Sequence, residues 1–199
     1  MCEALARLFQ MDASLGLPPK MTVSFATDEA ATKRDAFRRA MRGLASGVCI
    51  VAAGYAEHRA GIVATSVSSF SLSPPTLLVC VAHRSSLSPA LRRFCHFSVN
   101  ILRASQADLA DRFSGQTGTE GSKRFAAGDW ITLVTGAPVL VDALASIDCD
   151  VDEIIDRHTH SIVLGRVAAV RADEGGDALG HRLGSYFRIG DNGDQKGSA

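Results

Sequence analysis

The chain reads as a mainly β protein with short helices, a barrel and not a doubly wound α/β sheet. Apolar or alternating runs of strand length outnumber helical patterns, and most are joined by short polar links. No G-x-G-x-x-G or G-x-x-x-x-G-K-[ST] occurs, which disfavours a Rossmann dinucleotide site or a P-loop. The stretch Gly61–Val81 (GIVATSVSSFSLSPPTLLVCV) shows the β character best. It carries small hydroxyl residues, stops at Pro74–Pro75, and resumes as a pure apolar strand over Thr76–Ala82. A small polar edge beside a buried strand suits a flat ligand, and it equally suits an ordinary Ser/Thr-rich strand.

The elements follow in order. Residues 1–31 are expected to form an N-terminal extension, broken at Gly16–Leu17–Pro18–Pro19, and 190–199 a polar tail. The domain is expected over 32–189. Thr32 with Asp35 predicts a capping box for a helix that places Phe37, Met41 and Leu44 on one face. Val48–Tyr55 predicts a buried strand, forming a hairpin with the strand from Gly61. Ser88 and Pro89 predict the cap and first residue of a short helix through Phe94. Phe97–Leu102 alternates as a strand. Ser105 to Asp108 predicts a second capping box, with Leu109 and Phe113 one helical turn apart. Ser114–Ser122 predicts a mobile loop. Ile147, Cys149 and Val151 alternate with Asp148, Asp150 and Asp152, the pattern of a strand with one wet face. His160–Val170 and Ser185–Ile189 complete the strands.

Composition narrows function. The 199 residues carry 21 basic and 21 acidic side chains with no block of one sign, so no nucleic-acid footprint is expected. No apolar run suits a membrane span and no signal peptide pattern appears, which predicts a cytoplasmic protein. Five widely spaced cysteines without a CxxC predict free thiols, with Cys49, Cys80 and Cys149 as small core hydrophobes.

Few constellations carry chemistry. His158 and His160 lie two apart, with Asp156 on the same face if the strand extends that far, but a further ligand at diagnostic spacing is missing and no metal is expected. No G-x-S-x-G elbow points to a hydrolase. Lys123–Arg124 follows a glycine-rich loop and suits a phosphate clamp, and Ser85–Ser86 before a helix could serve the same anion; ordinary surface charge is the alternative.

These features do not stand alone. The helix Phe37-to-Gly47, the strand Gly61–Ser66, Pro74–Pro75, Leu77–Val81, Ser85–Ser86, Val99–Asn100–Ile101–Leu102, Gln106–Leu109–Phe113, Arg124–Phe125, Trp130, Pro138, Ala143–Leu144 and Cys149 occur in one order. That order resembles the short-chain flavin reductase family, the small reductase partners of two-component flavin monooxygenases, over about Ala36–Phe187. The resemblance implies a split β-barrel of the FMN-binding type, usually a homodimer, that uses NADH or NADPH to reduce FMN or FAD.

Carried over by residue, Ala64, Thr65, Ser66 and Ser68 would line the isoalloxazine, with Val81, Ala82 and His83 under the ring. Ser85 and Ser86 would form the phosphate turn, Asn100 would lie near the flavin, and Lys123, Arg124 and Phe125 would close over the phosphate or adenylate. His160 would orient the nicotinamide, and Tyr186 would be the second catalytic residue. His158–Thr159 replaces the family's Gly–Asp before that histidine. The reduced flavin would pass to a partner monooxygenase. The alternatives are a bound-flavin reductase of a corrin intermediate and a non-enzymatic flavin- or haem-binding protein.

Overall fold

Apolar runs and alternating patterns place most of the chain in antiparallel ladders. The computed structural model describes residues 29–173 and 175–190, so the expected extension up to residue 28 and the tail from 191 lie outside the described residues. The chain divides into two units at Arg39 and Ala40. Helix α1 (Glu29–Arg42) crosses that boundary and is followed by β1 (Ser46–Gly47), β2 (Cys49–Ala53), β3 (Ala60–Ala64), β4 (Val67–Leu72) and β5 (Pro75–Ala82). Next come α2 (Leu87–Phe94), β6 (His96–Ile101), α3 (Ala107–Ser114) and a 3-10 segment (Gly121–Ala126). The strands β7 (Trp130–Thr132), β8 (Pro138–Leu140), β9 (Ala145–Arg157), β10 (His160–Ala172), β11 (Ala178–Arg182) and β12 (Ser185–Ile189) follow.

Seven strands form one sheet in the order β3-β2-β6-β9-β10-β5-β4, and β1-β11-β12 and β7-β8 form two small sheets. The architecture is mainly β with few helices. Consecutive strands β3 and β4 end at opposite edges of the large sheet, and hydrogen bonds do not close it into a barrel. None of the described helices is long and apolar enough to cross a membrane.

Strand β2 explains why its sequence is apolar without alternation. Cys49, Val51 and Ala53 enter one core with Val79, Val81, Phe97, Val99, Cys149 and Val163. Val48, Ile50 and Ala52 enter a second core with Leu102, Phe113, Phe125 and Leu140. A strand covered on both faces has no wet side to mark with polar residues. Each fully buried Val, Leu, Ile or Phe here contributes about 1.5–3 kcal/mol from apolar burial. Burial also pushes the thiols of Cys49 and Cys149 up to about 12, so both are inert packing groups. Gly165 allows the closest approach: a Cβ there would lie 2.3 Å from Phe97 Cζ.

Several local expectations are corrected. Helix α1 is already formed at Glu29, so Thr32 lies inside it and is not its cap. Phe37, Met41 and Leu44 are exposed. Helix α2 begins at Leu87 with Ser86 as its cap residue, and Ser88 is buried within the first turn. The Ser105–Asp108 signal lies one element late: the Gln106 side chain accepts from the Arg103 amide at 2.9 Å, ahead of α3. Asp148 is fully buried instead of wet, because the Thr135 segment covers it and both the Thr135 amide and hydroxyl donate to its carboxylate.

Candidate active site

The turn leaving β5 creates one wall of the candidate site. Val81 is fully buried in the first core and anchors the strand end, while Ala82 reaches the surface of a cavity of about 630 Å³. The Ser85 amide donates to Ala82 O at 3.0 Å and the Ser88 amide to Ser85 O at 3.2 Å, which turns the chain sharply into α2. Leu87 and Leu91 are buried and dock that helix. Arg84, Ser85 and Ser86 consequently face the cavity immediately before α2. The Ser85 hydroxyl oxygen is buried there and has no hydrogen-bond partner, and Ser86 makes no side-chain cap. Amides at a helix start and free hydroxyls suit an anion.

The opposite wall comes from β3, α3 and the segment after it: Ile62, Val63, Phe113, Ser114, Glu120, Gly121 and Arg124. Phe113 is fixed edge-on against Phe125, with ring centroids 5.0 Å apart, and Trp130 packs 4.9 Å from Phe125. Arg124 braces this wall. Its Nε donates to Thr119 O at 2.8 Å and its NH1 to Gly61 O and Phe113 O at 3.1 and 3.2 Å. Arg112 holds the same segment through Arg124 O and Lys123 O. Lys123 is exposed and does not line the cavity, and Phe125 is buried beneath Arg59.

A hairpin stands beside the β5 wall. His158 and Thr159 form its two-residue tip, and His160 pairs with Ala82 across β10 and β5. The His83 amide donates to Thr159 O at 3.0 Å, and the Thr159 hydroxyl meets His160 Nδ1 at 2.8 Å. His83 Nε2 lies 3.3 Å from Asp156 Oδ1. Bonds from Ser161 and then Arg92 hold the Asp156 carboxyl below its usual range.

The remaining expected residues fall elsewhere. Ala64 is buried, and Ser66 is stitched to Cys80 by its hydroxyl and carbonyl. Thr65 and Ser68 line a second, apolar concavity of about 600 Å³ with Val67, Leu72, Leu77, Ile147, Val167 and Val170. Asn100 requires a correction. It is fully buried, and its amide donates to Ile50 O and Ser98 Oγ while its oxygen accepts from the Leu140 amide and Ser146 Oγ. With both ends engaged and no exposed surface it serves as scaffold instead of contacting a ligand.

Tyr186 lies on β12, near Asp111 and edge-on to His181 at 5.7 Å, and does not line the cavity. Burial, then Asp111, pushes its hydroxyl above the usual phenol range.

Phe113 enters the sequence reading through a helix face and the motif order, Ile62 and Val63 as part of the Gly61–Val81 stretch, and Glu120 as part of the Ser114–Ser122 loop, none of them as a named site residue. The pairing of β3 with β2 and the docking of α3 bring them to the cavity.

Similarity to known proteins agrees with this arrangement. Residues 41–190 match the flavin reductase like domain. The chain is 40% identical over 166 residues to an FMN reductase (NADH), RutF 2, of Methylorubrum extorquens, covering 82% of this chain and 93% of that protein. It is 32% identical over 157 residues to the 4-hydroxyphenylacetate 3-monooxygenase reductase component of Pseudomonas aeruginosa, covering 79% and 92%. The NADH:FAD oxidoreductase SgcE6 of Streptomyces globisporus, solved with NAD and FAD fragments, superposes with a TM-score of 0.74 at 27% identity, covering 86% of this chain and all of that one. A strand end, a helix start and an aromatic wall around one cavity thus accompany a match over three quarters of the sequence, and the chain belongs to the flavin reductase like domain family.

Proposed function

We propose that the chain catalyses NADH-dependent reduction of FMN and supplies reduced flavin to a partner monooxygenase. The unpartnered, buried Ser85 hydroxyl at the start of α2 carries the reading, because a buried donor without a partner costs free energy that a bound phosphate would recover. Ser86, the α2 amides and the remaining nitrogen of Arg124 complete an anion cradle, and Ile62, Val63, Ala82 and Phe113 supply apolar surface for a planar ring. A flavin bound there supplies the hydride acceptor, so the protein needs no nucleophile. Its own residues bind and orient: His160, whose Nδ1 is engaged by Thr159, is assigned the part of orienting the nicotinamide.

FMN and NADH are favoured because the relative of highest quoted identity is named an FMN reductase (NADH). The corrin alternative has no support among the relatives named above. In this reading the large sheet is the split barrel of an FMN-binding domain, preceded by an extension. A second copy of the chain covers the apolar concavity beside Thr65 and Ser68, where Leu72 and Val170 are exposed. Burial of about 800 Å² per partner is expected for such a dimer.

Anaerobic stopped-flow absorbance with FMN or FAD and NADH or NADPH tests the reading, followed by ultrafiltration. Bleaching of the flavin band by NADH, fastest with FMN, and flavin recovered in the filtrate are expected. No bleaching with any combination overturns the reductase and leaves a binding protein.

A further inference from the structure

Asp156 links α2, the residue after β5 and β10, and the connection between β5 and α2 lines the candidate cavity through Ala82, Arg84, Ser85 and Ser86. Asp156 lies on β9, and one oxygen, Oδ1, accepts from Arg92 NH2 of α2 at 2.6 Å and from Ser161 Oγ of β10 at 2.6 Å. The same oxygen faces His83 Nε2, just beyond β5, at 3.3 Å. Arg92 also reaches Ser161 Oγ at 3.3 Å, closing the cluster. Each arm leads to a part of the site. Arg92 belongs to the helix that directly follows Ser85 and its cap residue Ser86. His83 follows Ala82, and Ser161 follows His160.

We propose that Asp156 is a positioning residue for flavin reduction, fixing the helix start, the strand end and the His160 hairpin in one relative arrangement. The inference rests on the flavin reductase reading and deepens it. The side chains of Asp156, Arg92 and His83 are 54, 46 and 39% exposed, so solvent screens the charges and the cluster contributes little to global stability. Ser161 is the exception, only 3% exposed, and supplies the fixed point to which the exposed members are tied. A joint that is weak for folding but shared by the β5–α2 wall and the hairpin beside it acts on geometry, and a displacement of about 1 Å between reacting groups is enough to slow a reaction substantially.

The test is single-turnover reduction of FMN by NADH, both saturating, together with the FMN KM and the thermal midpoint. Asp156→Ala is expected to lower the hydride-transfer rate about tenfold with a midpoint within about 2 °C of the parent. Asp156→Asn still accepts from Ser161 and is expected to lose only about threefold. Arg92→Gln lowers the rate on its own, and its combination with Asp156→Ala is no slower than Asp156→Ala alone, since both cut one joint. Asp152→Ala, an exposed acid on the same strand, leaves rate and KM unchanged. A parent-like rate in Asp156→Ala, or a rate loss matched by a fall in midpoint, overturns the positioning role. A parent protein that itself fails to bleach FMN refutes the reductase reading instead.

Discussion

Two polar regions of this protein are built in opposite ways. Around Asn100, deep between β2, β6, β8 and β9, both ends of the side-chain amide are engaged: it donates to Ile50 O and Ser98 Oγ and accepts from the Leu140 amide and Ser146 Oγ. Ser98 Oγ in turn donates to Pro138 O. Around Ser85, at the start of α2, a hydroxyl is equally hidden from water and has nothing to bond. Both regions are rich in small polar groups, and both were expected to hold flavin. The difference is satisfaction. A closed network spends its donors on holding strands together, whereas an open one keeps a donor for a partner that is not part of the chain.

Asn100→Ala carries the largest expected effect. It leaves Ile50 O, the Leu140 amide and Ser146 without their buried partner, and should lower unfolding free energy by about 3 kcal/mol, read as a shifted urea midpoint with an unchanged slope. The FMN KM of the folded fraction stays at the parent value. A KM that rises while stability holds would return Asn100 to the binding site.

Ser85→Ala should do the reverse. Stability rises, by about 1–3 kcal/mol, because the substitution removes a buried donor that has no partner in the free protein. The FMN KM rises about fivefold, the loss of one hydrogen bond to an anion. Riboflavin, which lacks the phosphate, should feel the substitution little. An equal loss with riboflavin would place the Ser85 contact somewhere other than the phosphate.

How much of this was legible depended on whether the deciding contact was local. Thr76–Ala82 and Ser185–Ile189 fall within one residue of β5 and β12, because a run closed by prolines or glycines declares its own ends. The β7–β8 hairpin and β11 were missed. Trp130–Thr132 and Pro138–Leu140 are too short for a period, and Ala178–Arg182 has a glycine where a strand usually has bulk. Asp148 followed an alternating pattern correctly but on a strand whose second face is covered by a distant segment. Ala82, carried over through the order of motifs, and Ser85, Ser86 and Arg124, read also as anion-binding residues, line one cavity. Asn100 was carried over by the same order and proved to be interior. A motif transmits position and says nothing of whether a side chain is already satisfied.

His96 is the other buried atom without a partner among the described residues, at Nε2, and it tests how far the satisfaction rule extends. It lines neither of the cavities described above, stacks on Phe94 with ring centroids 6.0 Å apart, and sits near Asp148 and Asp150. Burial lowers its proton affinity, and the two carboxylates oppose that only in part. A neutral imidazole is therefore favoured in the fold more than in the unfolded chain. Its contribution to stability is complete above the ordinary imidazole value of 6.5 and is lost as pH falls through the lower folded value. His96→Phe keeps the stack and removes the titration. Its thermal midpoint relative to the parent should improve between pH 7.5 and pH 5.5, with the FMN KM unchanged at both. If the two midpoints fall in parallel, the acid slope belongs to other groups. If the FMN KM rises, the unpartnered nitrogen serves a ligand as the Ser85 hydroxyl does, and the contrast between interior and rim becomes one rule: a hidden donor left open marks a place where something binds.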